Sequence, residues 1–156
     1  MEKQLQKELI SMFKKDQESI NKNSKELGKV MSQNTKRLKE IISKIGWPTS
    51  EIVWENGEHA AWLIVQHSDF DLEFQKICLN LLKKLPQTQE RKIHIAYLTD
   101  RILVNRNKKQ IYGTQFKKEN GRLKPSPIAD IDNLERRRKE IGLESFKEYR
   151  KSLLKK

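Results

Sequence analysis

The stretch 58–67 constrains this chain most, because the residues from Ala60 to Val65 are apolar one after another. Wound as a helix, that run points apolar side chains in every direction, and such a helix is stable only with neighbours all round it. The rest of the chain has to supply them. It carries 35% hydrophobic and 35% charged residues, and its apolar residues recur mostly three and four apart, the spacing of amphipathic helices. A central helix inside a shell of amphipathic ones is the expected arrangement.

Residues 2–22 put Leu5, Leu9, Phe13 and Ile20 on one helical face. Residues 25–45 do the same with Leu27, Val30, Leu38, Ile41 and Ile45, with room for a break where Ser32 could cap a new start. Gly46-Trp47-Pro48 stops that helix, since Gly suits a left-handed end and Pro cannot continue the hydrogen-bond ladder. Asp69 or Asp71 caps a helix over 72–85 with the stripe Phe74, Ile77, Cys78, Leu81 and Leu85, and Pro86 ends it. Residues 92–105 read as another buried helix, although Ile93, Ile95, Ile102 and Val104 would also suit a strand.

Then the period changes. Gln110 to Phe116 alternates, Lys118-Glu119-Asn120-Gly121 is a turn, and Arg122 to Lys124 returns as a second strand. Residues 132–141 and 144–153 read as two short charged helices separated by Gly142. The fold class expected is mainly α, a compact helical domain of about six or seven helices with a small β-hairpin near residues 110–125.

At 156 residues the chain has the usual size of one domain, so a single domain over 1–156 is expected. Lys and Arg number 33 against 21 Asp and Glu, for a net charge of +12. The excess lies on both flanks and in 106–124, whereas 46–105 is slightly acidic. Such a charge draws anions, nucleic acid included. Without a stacked-aromatic platform or a glycine-rich phosphate loop, nucleic acid is not the favoured partner.

No run reaches the ~18 apolar residues of a membrane helix, and the charged N-terminus has no apolar signal core. The lone Cys78 reads as a buried thiol and cannot form an internal disulfide. A cytoplasmic protein with no membrane association is the expectation. The helix over 2–22 alternates Lys and Glu beside its apolar stripe and could pack against a copy of itself, which keeps a homo-oligomer open.

Polar side chains on otherwise apolar faces are the informative residues. Asp16 shares a stripe with Phe13 and Ile20, Asn34 lies between Val30 and Leu38, and Gln66 and His67 end the apolar helix. Asp100 and Arg101 interrupt the run from Ile93 to Val104, one turn after Tyr97. A buried charge must be paired or hydrogen-bonded, so these residues form either a satisfied structural network or a polar pocket.

His59, His67, Asp69 and Asp71 contain no paired-ligand motif, so neither a metal nor a cofactor is expected. Ser68 follows His67 directly and no nucleophile elbow is present. Acid–base work by His67 with Asp100 would require the two to meet. In the alternating segment, Gln110, Tyr112 and Thr114 would share a strand face, with Gly113 allowing close approach. Arg136-Arg137-Arg138 is either a solvated helix face or a source of arginines for a phosphate or carboxylate.

On these residues the chain resembles domain-of-unknown-function family 6624, a bacterial and phage family. The resemblance runs through Asp16-Gln17, Asn34 with Arg37 to Ile42, Gly46 to Thr49, Ala60 to Asp69 and Glu73 to Gln75. It continues through Ala96 to Val104, Gln110 to Gln115, Pro127-Ile128, Arg137-Arg138 and Gly142-Leu143. Leu72 stands where the family commonly has Pro, and Glu135-Arg136 where it has an acidic pair. The family name implies little chemistry, but its motifs coincide with the polar residues above and so favour a shared pocket.

The leading expectation is binding, even sequestration, of a small anionic ligand, most plausibly a nucleotide or nucleotide-derived messenger. Its site would comprise Gln66, His67, Asp100, Arg101, Tyr112, Gln115, Arg137 and Arg138, supported by Asp16, Asn34, Trp62 and Tyr97. One alternative is a hydrolase of a phosphodiester or glycosidic bond with His67 and Asp100 as the acid–base pair. Another is a nucleic-acid or protein-interaction module that uses the basic flanks.

Overall fold

A computed structural model describes residues 2–22 and 25–154. Among them are seven α-helices and one two-stranded antiparallel hairpin, so the chain is mainly α. The helices are α1 (Glu2–Asn21), α2 (Leu27–Ile45), α3 (Ser50–Gln66), α4 (Leu72–Lys84), α5 (Gln89–Asn105), α6 (Leu134–Glu140) and α7 (Phe146–Leu154). The strands are β1 (Phe116–Glu119) and β2 (Arg122–Pro125). No helix among the described residues is long and apolar enough to cross a membrane. The chain divides into two compact units, Met1–Leu81 and Leu82–Lys156.

In the first unit α1 lies chiefly along α3 and also touches α2. The core is the one the apolar run demands: Ala60, Ala61, Ile64 and Val65 of α3 are buried together with Leu9 and Met12 of α1, and with Leu38 and Ile41 of α2. Helix α3 begins at Ser50, eight residues ahead of the apolar stretch, and it bends at Trp54, whose φ of 57° and ψ of 168° are not helical. The Thr49 side chain makes no capping bond there. Glu58, one of the buried residues, supplies the missing acceptor: it takes the Ser50 N–H at 2.6 Å and the Trp47 indole N–H at 3.1 Å. A carboxylate from inside the helix thus ties down the helix start and the Gly46-Trp47-Pro48 corner before it.

Helix α2 runs unbroken through Ser32. Of the two aspartates before α4, Asp71 is the cap, accepting the Phe74 N–H at 3.1 Å. The buried side of α4 is Phe74, Gln75, Cys78, Leu79 and Leu82, and Ile77, placed in the stripe by its spacing, is 55% exposed. A glutamine inside and an isoleucine outside rotate the real stripe away from the one that apolar residues alone would draw.

In the second unit α5 starts at the N-cap Thr88, whose side chain accepts the Arg91 N–H at 3.2 Å. Beyond α5 the chain reaches the hairpin through a loop, and the extended pairing begins at Phe116, not at Gln110. The hairpin turns on Asn120 and Gly121, both at positive φ, as a two-residue hairpin turn requires. Gln110 makes only one isolated bridge, to Ile128. Its side chain donates to the Gln115 and Ser126 carbonyls at 2.9 and 2.8 Å and accepts the Gln115 N–H at 2.8 Å. The expected strand over 110–115 is therefore a closed loop, pinned from inside by a fully buried glutamine.

Candidate functional site

Two polar assemblies hold the side chains that the sequence marks as out of place, one in each unit. In the second unit the centre is Asp100, fully buried on α5. Its carboxylate accepts the Ile111 N–H at 2.7 Å, the Tyr112 N–H at 3.0 Å, the Thr114 N–H at 3.0 Å and the Thr114 hydroxyl at 2.9 Å. Consecutive backbone N–H groups curled round an anion form a nest, and here the anion is part of the chain. The ladder donors that an alternating strand would have used are spent on Asp100.

The carbonyls of the same loop are gripped from the other side by α6. Arg137 donates to the Ile111 carbonyl at 3.0 Å and to the Ala129 carbonyl at 2.7 Å. Arg138, 1% exposed, donates to the Tyr112 carbonyl at 2.6 Å and to the Glu144 carbonyl at 2.8 Å. Its guanidinium also lies over the Tyr149 ring, 5.1 Å from the centroid. Burial lowers the Arg138 pKa from its ordinary value. Gly113 sits at φ +68°, where a Cβ would come within 2.9 Å of the Phe146 ring.

Tyr112 is half-buried and its phenol is pushed above the ordinary tyrosine value, first by burial and then by the nearby Asp100 charge. Gln115 donates to the Thr114 hydroxyl at 3.1 Å. Tyr97 of α5 meets the Tyr149 ring edge-on, with centroids 6.3 Å apart, and Arg101 is half-buried beside Asp100. The assembly therefore brings together Asp100, Tyr112, Gln115, Arg137 and Arg138, and it does so by having the charged groups hold the loop's backbone.

In the first unit α1 carries Asp16 on its buried face, 1% exposed. Its Oδ2 contacts Nδ1 of His67, the residue that caps the end of α3. An acid oxygen at Nδ1 takes the N–H there and fixes the tautomer whose Nε2 carries the lone pair. The His67 side chain is 18% exposed, so the ring reaches the surface while its partner does not. Asn34 of α2 donates to the Met12 carbonyl at 3.0 Å, one turn before Asp16, and so fixes the segment that holds the acid.

The buried polar atoms of this unit without a hydrogen-bond partner in the protein include Oδ1 of Asp16 itself and Nε2 of Gln66, the residue before His67. Burying a polar group without a bond is costly. The Ser68 hydroxyl, by contrast, is satisfied: it donates to the Ile64 carbonyl at 2.8 Å and lies 2.7 Å from the Thr35 hydroxyl. Trp62 is buried on α3, tilted against the His59 ring at 5.4 Å.

The sequence singles out Asp16 and His67 separately; the fold joins them across 51 residues. Buried Glu58, Gln75 and Arg91 escape a sequence reading. Gln75 donates to the Val65 carbonyl at 3.0 Å and to Asp69 at 3.2 Å, which closes the end of α3 below His67. Arg91 donates to the Pro86 carbonyl at 2.8 Å. The one signal for Gln75 is its place between Phe74 and Cys78 on the buried side of α4.

A family described as a family of unknown function (DUF6624) matches residues 3–155. No curated protein and no solved structure matches the chain.

Proposed function

We propose, since the chain belongs to the DUF6624 family and that family's function is unknown, a role argued from its own residues: a hydrolase in which His67 moves the proton and Asp16 orients it. The observation that carries this reading is the buried Asp16 carboxylate on Nδ1 of a surface-reaching imidazole. That pairing leaves Nε2 to take a proton from water or return one to a leaving group. Ser68 is committed to Ile64 and Thr35, so the nucleophile in this scheme is water and no covalent intermediate forms on the serine. Substrates with a phosphodiester or glycosidic bond suit a single proton-carrying histidine beside an acid.

A second reading, sequestration of a nucleotide-like ligand without turnover, is favoured by one observation. Asp16 Oδ1 and Gln66 Nε2 are a buried acceptor and a buried donor without a hydrogen-bond partner in the protein, the two kinds of group that a polar ligand satisfies. Arg137 and Arg138, which this reading would use to neutralise phosphate, are engaged with backbone carbonyls.

One experiment separates the two. Wild-type protein, His67→Gln and Asp16→Asn are incubated with nucleotides, cyclic dinucleotides and aryl glycosides, and the mixtures are resolved by HPLC beside melting curves. The hydrolase reading expects a new product, lost in His67→Gln and lowered by about 10²–10⁴ in Asp16→Asn, with melting temperatures near wild type. A ligand that raises the melting temperature and is recovered intact points to sequestration. No product and no shift with any compound overturns both.

A further inference from the structure

We propose that a second site, at the amino-terminal end of α3, binds a neutral saccharide stacked on Trp54. The observation is a cleft of about 830 Å³ in the first unit, with Trp54 among its walls together with Lys3, Gln6, Glu51, Glu55 and Asn56. Trp54 lies 13 residues before His67, roughly 20 Å along a helix at ~1.5 Å per residue, so this site is separate from the histidine and stands or falls without it.

The backbone of Trp54 is the first argument. Its φ of 57° with ψ of 168° falls in a region that is essentially reserved for glycine. A chain that needed only the bend would have it at no steric cost from glycine. The strain is retained with the largest side chain, and that side chain is 49% exposed, whereas Trp47 and Trp62 are 4% and 7% exposed. An indole held at such cost and left half in water is accounted for by a ligand on its face.

The lining defines the ligand's chemistry. Gln6 Nε2 donates to Asn56 Oδ1 at 2.6 Å, which fixes both amides and leaves Gln6 Oε1 as an acceptor and Asn56 Nδ2 as a donor. The Glu55 carboxylate adds acceptors and the Lys3 ammonium adds donors. An anionic ligand would meet the Glu55 carboxylate and a cationic one the Lys3 ammonium. A neutral polyol uses both kinds of group, because each hydroxyl donates and accepts, and the apolar C–H face of a pyranose covers an indole.

The test uses the whole chain and three neutral probes: triacetylchitotriose, cellotriose and maltotriose. Trp54 is the half-exposed one of the three tryptophans, so its emission and acrylamide quenching report the site directly. The expected result is a saturable change with at least one probe; affinities compared by isothermal titration calorimetry, since Trp54→Gly removes the fluorophore, should be weakened at least about tenfold in that variant. Melting of that variant should be at or above wild type, because glycine relieves the positive φ. Glu55→Gln should weaken binding several-fold without moving the melting temperature, and it decides the matter if Trp54→Gly fails to fold. No saturation with any probe, wild-type binding by the variants, or saturation by a nucleotide or an alkylammonium ion in place of the sugars overturns the proposal.

Discussion

Replacing Asp100 by alanine removes one acceptor and strands four donors: the N–H groups of Ile111, Tyr112 and Thr114 and the Thr114 hydroxyl, held at 2.7 to 3.0 Å. A hydrogen bond to a charged group contributes about 1.5–3 kcal/mol, so four in full would exceed most of a domain's stability of about 5–15 kcal/mol. The whole sum does not apply. Ile111 and Tyr112 are half-buried, and water can replace the lost acceptor there. Thr114 is 5% exposed, so its two donors stay dry.

Counting those two in full and the others at a fraction gives a loss of about 4 kcal/mol, on the order of 10 °C in melting temperature for a chain of this length. Denaturant titration of Asp100→Ala against wild type measures it, and hydrogen exchange at Ile111, Tyr112 and Thr114 should rise by orders of magnitude. Thr114→Val, which loses the hydroxyl bond to Asp100 and the acceptor of the Gln115 amide, should cost about 2 kcal/mol. A loss below about 1 kcal/mol in Asp100→Ala, or unchanged exchange in the loop, would refute the claim that Asp100 organises it.

Other consequences can be checked with the same instruments. Gly57→Ala puts a Cβ 2.8 Å from the Val53 Cβ of the same helix and 3.3 Å from the Gln6 Cγ of α1, so the variant should lose about 1–3 kcal/mol in denaturant titration. Arg138→Lys keeps a charge but cannot reach the Tyr112 and Glu144 carbonyls together, and a loss of about 2 kcal/mol is expected by the same titration. Burial, and next the hydrogen bond shared with Tyr97, raises the Tyr149 pKa above its unfolded value. Its contribution is therefore complete below the ordinary tyrosine value and is lost as pH rises from there through the folded one; Tyr149→Phe should flatten that alkaline limb of a stability–pH curve. Burial pushes the Cys78 thiol up to about 12, so Ellman's reagent should find no reactive thiol at neutral pH until denaturant is added.

The sequence is a good guide wherever burial on one face is the whole story. The apolar run from Ala60 to Val65 forces a central helix, and Leu9, Leu38 and Ile41 supply its neighbours at the expected spacing. Local chemistry is equally direct: Gly46 ends α2, Asp71 caps α4, and Asn120-Gly121 turns the hairpin. Each needs only a few consecutive residues, because the group that is satisfied lies within a turn of the group that satisfies it.

What the sequence cannot supply is the partner of a polar group that reaches across the fold. Alternation from Gln110 to Phe116 signals a strand, yet Asp100, Arg137 and Arg138 take the N–H and carbonyl groups that a strand would have paired. Ile77 reads as core and lies outside, because Gln75 on the neighbouring face is needed to close α3. Asp16 and His67 are each conspicuous alone, and only the packing of α1 on α3 makes them a pair. The apolar pattern by itself determined most of the helical segments, residues 50–57 of α3 excepted, since the hydrophobic effect is non-directional and asks only that apolar residues share a face. The tertiary structure decided what the polar residues do, because a hydrogen bond is directional and short and must find its one partner in space.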